Sequence, residues 1–518
     1  MTGDAMVEDG GRPAIASPVV VTGSGALRGT DDGRVAVWRG VRYAQPPVGD
    51  RRWRAPVPAV APDGVVDATR FGHAAPQPVN TVIPLGDGVT ADEDCLFLNV
   101  WRPSRAAARP RPVMVWVHGG AYTFGAASQS VYDGTALAEA GDAVIVTVNY
   151  RLGALGFLDL GAERDGEADT NVALRDVLLA LSWVRDNIAG FGGDPEHVTV
   201  FGESAGGGLV TALLATPSAA GLFQRAIVQS SPATSMYGRR RAAAVTARFA
   251  EAAGVAASDL AALRALSPEA VVAAASAVYE EVPREHPGTL AFAPVVDGDL
   301  LPEHPIAVLS SGRGHPVPLV IGTNRDEATM FRFMKSALLP IDAASIERMF
   351  QAMREESPHV VAPDRERVLS AYRGLRRGVV GLGIARDIAF RMPTVWLAAG
   401  HGAVAPTWLY RFDHSTPLLR LAGIGAAHAA EVPYAWGTVA EAPRAIYRLG
   451  GRRSAERVSR RMVERWAAFA NGGAPGEDWP PYRAPERQTL VIDSEDRVVA
   501  DLDGPLRAGW GDSVLSFS

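Results

Sequence analysis

The sequence predicts an α/β fold with a mostly parallel central sheet flanked by helices, and three observations carry that prediction. Between about residues 35 and 235, short β-branched runs alternate with helical stretches, the pattern of successive βα units. Val113–Val117 (VMVWV) and Val144–Val148 (VIVTV) are short, continuous apolar runs of the buried-strand type. A third such run, Val198–Phe201, leads straight into Gly202-Glu203-Ser204-Ala205-Gly206 and then into a helical pattern at Leu209–Leu214 that stops near Thr216–Pro217.

Taken along the chain, residues 1–17 read as a loose N-terminal arm, and 18–518 as one domain with helical excursions at about 240–315 and 330–400. The arm has acidic residues where a signal peptide needs basic ones, and no apolar stretch follows it. Gly23-Ser24-Gly25 with Gly29 imitates a dinucleotide loop, but no apolar helix follows, so a β-turn is the reading. In 172–188, Leu174, Val177, Leu178, Leu181, Val184 and Ile188 share one helical face. Asp169, Thr170 and Asn171 are its capping candidates, and Gly190 its expected stop. Arg239–Arg241 opens an Ala-rich stretch and reads as a solvated helix end. Strand-like runs return at Pro318–Ile321, Thr407–Phe412 and Thr489–Asp493.

Composition excludes several function classes. The net charge of −6 over 518 residues gives no basic face for nucleic acid. No stretch approaches the roughly 20 apolar residues of a membrane span. The single cysteine, Cys95, rules out an intrachain disulfide and cysteine-pair zinc sites, and it permits a cytoplasmic location. No metal or organic cofactor is implied. The oligomeric state is open between monomer and homodimer.

The G-x-S-x-G pattern at 202–206 can arise by chance, and its context gives it weight. A serine between a strand and a helix is lifted out of a tight turn whose flanks favour glycine, and the helix N-terminus behind it favours negative charge. Acyl transfer also needs donors for an oxyanion. The run Val113–Val117 ends in His118-Gly119-Gly120-Ala121, so the amides of Gly119 and Gly120 are candidates, joined by that of Ala205. In the order serine, acid, histidine, spacing leaves His359, His401, His414 and His428, of which His428 sits in a loop of small residues after Thr407–Phe412. Asp326 and Glu327, just past Pro318–Ile321, are the acids, and spacing does not choose between them. Glu203 either tunes the serine electrostatically or packs beside the turn.

These motifs resemble those of the type-B carboxylesterases, which are similar to bacterial p-nitrobenzyl esterases and more distantly to cholinesterases. The likeness runs from about residue 18 to 505. It rests on WRGVRYAQPPVG (38–49), EDCLFLNVWRP (93–103), the HGG turn, NYRLGALGFL (149–158), WVRDNIAGFGGDPEHVTVFGESAGG (183–207), GTNRDEATMF (322–331) and AHAAEVPYAWG (427–437). The resemblance implies an α/β-hydrolase fold, Ser204 as nucleophile, Glu327 as acid, His428 as base, and Gly119, Gly120 and Ala205 as oxyanion donors. Ser230 matches a serine that supports the triad from behind. Departures are that Cys95 lacks its usual partner, Ala75 standing there, and that residues 76–94 hold no tryptophan for a choline cation.

The expected activity is hydrolysis of small to medium carboxylic esters through a covalent acyl-enzyme, rising through about pH 6–7 as the base becomes neutral. The alternatives are carbamate or amide cleavage by the same machinery and, on this fold, a non-catalytic binding protein. The pocket candidates are Phe292, Phe331 and Phe333.

Overall fold

Burial on both faces dictates the centre of the molecule. The structure is a computed structural model of the chain and describes residues 17–79, 84–161, 166–333, 338–339, 342–356, 365–372 and 377–511. Of the expected arm at 1–17, all but Ser17 lies outside the described residues.

The main sheet is built from β1 (Thr30–Asp31), β2 (Val35–Arg42), β3 (Phe97–Pro103), β4 (Arg111–Val117), β5 (Val144–Val148), β6 (Gly193–Glu203), β7 (Arg225–Gln229), β8 (Leu319–Asn324), β9 (Thr407–Phe412), β10 (Gln488–Ile492) and β11 (Arg497–Ala500). Its order in space is β11-β10-β9-β8-β7-β6-β4-β5-β3-β2-β1. The strands from β4 to β10 are parallel to one another, and antiparallel strands close both edges. The sheet is therefore mostly parallel, as expected.

Every residue of β4 and β5 is buried. Val113, Val115 and Val117 join one core with Leu174, Val177 and Leu181 of α1 (Val172–Asn187) and Leu209 and Leu213 of α2 (Ala205–Ala215). Met114 and Trp116 face the opposite core. There they meet Val458, Met462 and Trp466 of a long helix, Arg452–Ala470. Alternate side chains of one strand thus serve two helical layers, which is why the run is apolar throughout.

Two local expectations are corrected. Asn171 precedes α1 in a left-handed conformation (φ 56°), but its side chain makes no cap. It binds the backbone of Val295 instead, donating to O and accepting from N at 2.7 Å each. The helix ends at Asn187, and the left-handed residue beyond it is Gly192 (φ 79°) rather than Gly190. Gly190 is small for packing: a Cβ there would stand 2.9 Å from Val21 O.

Helix α2 also begins earlier than the apolar pattern suggests, at Ala205. Gly206-Gly207-Gly208 are poor helix formers and hide its first turn from propensity. Gly23-Ser24-Gly25 does close a hairpin, between Val19–Thr22 and Gly25–Arg28. Arg239–Arg241 opens a helix, Arg239–Ala252. Cys95 is a buried free thiol and shares its core with Ala75. Among the described residues no helix is long and apolar enough to cross a membrane.

Candidate active site

The groups singled out in the sequence converge at the carboxyl ends of the parallel strands. Ser204 follows β6, the His118–Ala121 turn follows β4, and Ser230 follows β7. Glu327 lies just beyond β8, and His428 in the connection after β9.

Ser204 occupies φ 55°, ψ −125°, a region that side chains rarely adopt. The strand and the helix hold it there together: its amide donates to Gln229 O of β7 at 2.9 Å, and its carbonyl accepts from Gly208 N at 2.8 Å. The glycines of the motif are needed because backbones meet around it. A Cβ at Gly206 would lie 2.0 Å from Val117 O, and one at Gly202 would lie 2.6 Å from the carbonyl carbon of Gly206. A side chain at either position would push the serine turn away from β4.

Ser204, His428 and Glu327 stand in one hydrogen-bonded line. His428 Nε2 is 2.8 Å from Ser204 Oγ, and Nδ1 is 2.6 Å from Glu327 Oε2. The far oxygen of Glu327 is fixed as well, accepting from Ser230 Oγ at 2.5 Å and from Asn324 N at 2.6 Å. Glu327 and Ser230 are fully buried, while the imidazole keeps 11% of its side chain accessible. The line is thus open at the serine end and anchored at the acid end.

Two further carboxylates surround the imidazole. Glu203 Oε1 lies 3.3 Å from His428 Nε2 and has no hydrogen-bond partner among the described residues. Glu431, fully buried, accepts from Gln229 Nε2 at 3.1 Å and from Asn324 Nδ2. Gln229 in turn accepts from Trp466 Nε1 at 3.2 Å. Burial disfavours the charged imidazole, yet Glu203 and Glu327, with Glu431 behind them, outweigh it and hold His428 above its ordinary value. Burial raises Glu203 and Glu431 above the usual carboxylate range, the more so because they face other carboxylates.

The turn after β4 supplies amides. Gly120 (φ 117°) and Ala121 (φ 50°) are both left-handed, so the backbone doubles back on itself. Among the described residues the amides of Gly120, Ala121 and Ala205 donate to no acceptor of the chain. Gly119 is placed differently. It packs against the carboxyl of Glu203, and a Cβ on it would meet Glu203 Oε2 at 2.7 Å. His118 underpins the turn: its Nδ1 is 2.8 Å from Gly119 O, its ring stacks on Tyr150 at 4.5 Å, and burial lowers it to about 4, so it is neutral.

The other candidates lie elsewhere. Asp326 turns away from the imidazole to Arg325 and Ala426 N. His401 contacts Val317 O and His414 faces Asp493, while His359 lies outside the described residues. Phe292 is core and Phe333 is 55% exposed, whereas Phe331 reaches His428 with ring centres 5.5 Å apart. Sequence reasoning missed Glu431, Asn324, Gln229 and Phe390. Only the i, i+3 spacing of Glu431 from His428 offered a signal, and many surface acids share that spacing. Among the described residues no set of three or more His, Cys, Asp or Glu side chains is placed to hold a metal ion.

A serine on a strained strand-to-helix bend, at the carboxyl edge of a largely parallel sheet covered by helices, defines the α/β-hydrolase fold. Within that fold the chain belongs to the carboxylesterase family, whose profile matches residues 16–504, and it is a carboxylic ester hydrolase. It is 36% identical over 497 residues to the para-nitrobenzyl esterase of Bacillus subtilis (strain 168), covering 94% of this chain and 97% of that protein. It is 33% identical over 515 residues to the phenmedipham hydrolase of Pseudarthrobacter oxydans, covering 95% and 98%. A solved PNB esterase superposes with a TM-score of 0.83 at 35% identity, over 96% of this chain and 100% of the other.

Proposed function

We propose that the chain cleaves small to medium carboxylic esters through a Ser204–His428–Glu327 triad and a covalent acyl-enzyme. The observation that carries this reading is the hydrogen-bonded line from Ser204 Oγ through both imidazole nitrogens to a carboxylate anchored by Ser230 and Asn324. Ser204 Oγ attacks the carbonyl carbon while His428 Nε2 takes its proton. The oxyanion is received by the amides of Gly120 and Ala205, with Ala121 as the third free donor beside them; Gly119, expected from the sequence, supports the turn from behind. His428 returns the proton to the leaving alcohol, and water then repeats the attack on the acyl-enzyme. Glu327 keeps the Nδ1 proton in place and stabilises the imidazolium.

The carboxylates around His428 alter the expected pH dependence. The base must be neutral to act, and its proton is held more tightly than in free histidine, so activity rises through a pH above the ordinary value of about 6.5. Glu203→Gln removes a carboxyl group whose ionised form stands 3.3 Å from Nε2. The imidazolium is then less favoured, and the limb moves to lower pH by roughly 1 unit. The plateau falls at the same time, because the same charge steadies the imidazolium formed during attack. Profiles of kcat/KM against pH for both proteins check this; a limb that stays put or moves upward contradicts the role given to Glu203.

Carbamate or amide cleavage would use the same groups, and the likeness to a phenmedipham hydrolase is consistent with it. Turnover of matched p-nitrophenyl esters of increasing acyl length, with the corresponding amide and carbamate, separates the readings. Ester turnover exceeding the other two is the expected result, and preference for the carbamate would reassign the substrate class. A cytoplasmic location fits the lone buried Cys95, a thiol that needs no oxidising compartment.

A further inference from the structure

The imidazole of His428 has a neighbour that its hydrogen bonds do not account for. The ring of Phe390 stands 4.6 Å from it, centre to centre, tilted by 32°. Phe331 lies 5.5 Å from the imidazole and 6.4 Å from Phe390. These spacings put the three rings in one triangular cluster. Ala328, Leu339 and Ala385 pack behind them.

Phe390 reaches this position through an irregular piece of backbone. Residues Asp387–Arg391 form a π-helical turn between two α-helices, Arg377–Arg386 and Met392–His401. A π turn carries one extra residue. In an unbroken α-helix, a one-residue shift would turn the Phe390 side chain by about 100° around the axis, away from the imidazole.

Buried charges hold the turn at both ends. Asp387, at its start, accepts from the Tyr372 hydroxyl and from Arg386. Arg391, at its end, pairs with Asp503 and donates to Thr323 Oγ1 at 2.9 Å, next to the Asn324 amide that grips Glu327. A costly backbone feature fixed by buried ion pairs, with one ring aimed at the proton-carrying histidine, has the form of a functional constraint.

We propose that Phe390, delivered by this π turn, is a positioning residue for His428: it blocks the swing of the imidazole about its Nδ1–Glu327 hydrogen bond. The inference rests on the triad reading above. While Ser204 Oγ is bonded to the acyl carbon, Nε2–H has lost its serine partner, and Glu203 Oε1 competes for it at 3.3 Å. The aromatic flank keeps Nε2 facing the leaving group and then the incoming water. An aromatic face beside the ring also favours its charged form. The charged or titratable groups facing the imidazole from the packed elements are Glu203, Glu327 and Glu431.

The test is steady-state kinetics of Phe390→Leu and Phe390→Tyr with p-nitrophenyl acetate and p-nitrophenyl butyrate, each normalised to sites titrated by a fluorophosphonate. A small misplacement of the base makes the expected loss in Phe390→Leu about tenfold or more in kcat, with KM nearly unchanged for both esters. Its pH limb also moves to lower pH, and Phe390→Tyr restores both kcat and the limb. Three outcomes overturn the proposal. A KM that rises with acyl length at constant kcat and limb makes Phe390 a pocket wall. No change in any parameter leaves it without a role. Loss of titratable sites in both variants reduces it to core packing. Failure of the triad reading itself is seen separately, as turnover that persists in Ser204→Ala.

Discussion

Ser204→Ala is expected to lower kcat toward p-nitrophenyl esters by roughly 10⁵-fold or more while the fold is kept. The serine hydroxyl stands at Nε2 of His428, at 2.8 Å, and among the described residues no other hydroxyl bonds to that nitrogen. The backbone that shapes the bend does not depend on the hydroxyl, since Ser204 is held by its amide on Gln229 O and its carbonyl on Gly208 N. Alanine also tolerates left-handed φ no worse than serine, so thermal unfolding should change little. What remains is the rate available from bound substrate facing free amides, which in other serine hydrolases still exceeds that in water by about 10³–10⁴. Single-turnover measurement with a chromogenic ester reads both quantities. A variant that still releases stoichiometric nitrophenol in a burst would sink Ser204 as the nucleophile, because a burst requires an acyl group on the enzyme.

Glu327→Gln should be nearly as damaging, at about 10³–10⁴-fold in kcat near neutral pH, for a reason specific to the site. One carboxylate oxygen accepts from both Ser230 Oγ and Asn324 N, and the other faces His428 Nδ1. Two donors at the first oxygen force the glutamine carbonyl into that place, which turns its NH₂ toward Nδ1. The imidazole then accepts at Nδ1 and carries its proton on Nε2, the tautomer that cannot take a proton from Ser204. Removing the charge also lowers the basicity of the imidazole. Nitrogen chemical shifts of His428 report the tautomer, and kcat reports its consequence. A variant with wild-type kcat, or with Nδ1 still protonated, argues that the carboxylate is only packing.

Much of the fold was legible because its signals are local. The runs at Val113–Val117, Val144–Val148 and Thr407–Phe412 are strands at those positions, since a strand buried on both faces has to be apolar at consecutive residues. The helix over Val172–Asn187 follows from its 3.6-residue stripe. Its caps were misread because Asn171 spends its side chain on Val295, a partner 124 residues away. The start of the helix after Ser204 was hidden by three glycines, of which Gly206 and Gly207 are required by neighbouring backbones and Gly208 by the Tyr122 hydroxyl. Hydrophobic periodicity registers neither cause.

The candidate site divides in the same way. Ser204, Gly120 and Ala205 sit in short motifs whose chemistry is carried by adjacent residues, and family likeness added Glu327 and His428. Spacing alone keeps Asp326 level with Glu327, because consecutive residues differ only in the direction of their side chains. That direction is set by the turn after β8, which hands Asp326 to Arg325 and Ala426. Gln229 and Asn324 gave no signal and Glu431 only its spacing from His428, since the buried network joins two strand ends to a residue well beyond β9 that packing alone brings beside them.

The layered α/β architecture and the strand–serine–helix bend follow from local pattern, through the periodicity of apolar residues and the need for glycine where backbones touch. Which acid meets the imidazole, how many carboxyl groups surround it, and the π turn that brings Phe390 against its ring are settled by packing. Those outcomes depend on distances between segments up to 224 residues apart, such as Ser204 and His428. Such distances are fixed by packing the whole sheet and its helices, and no local pattern encodes them.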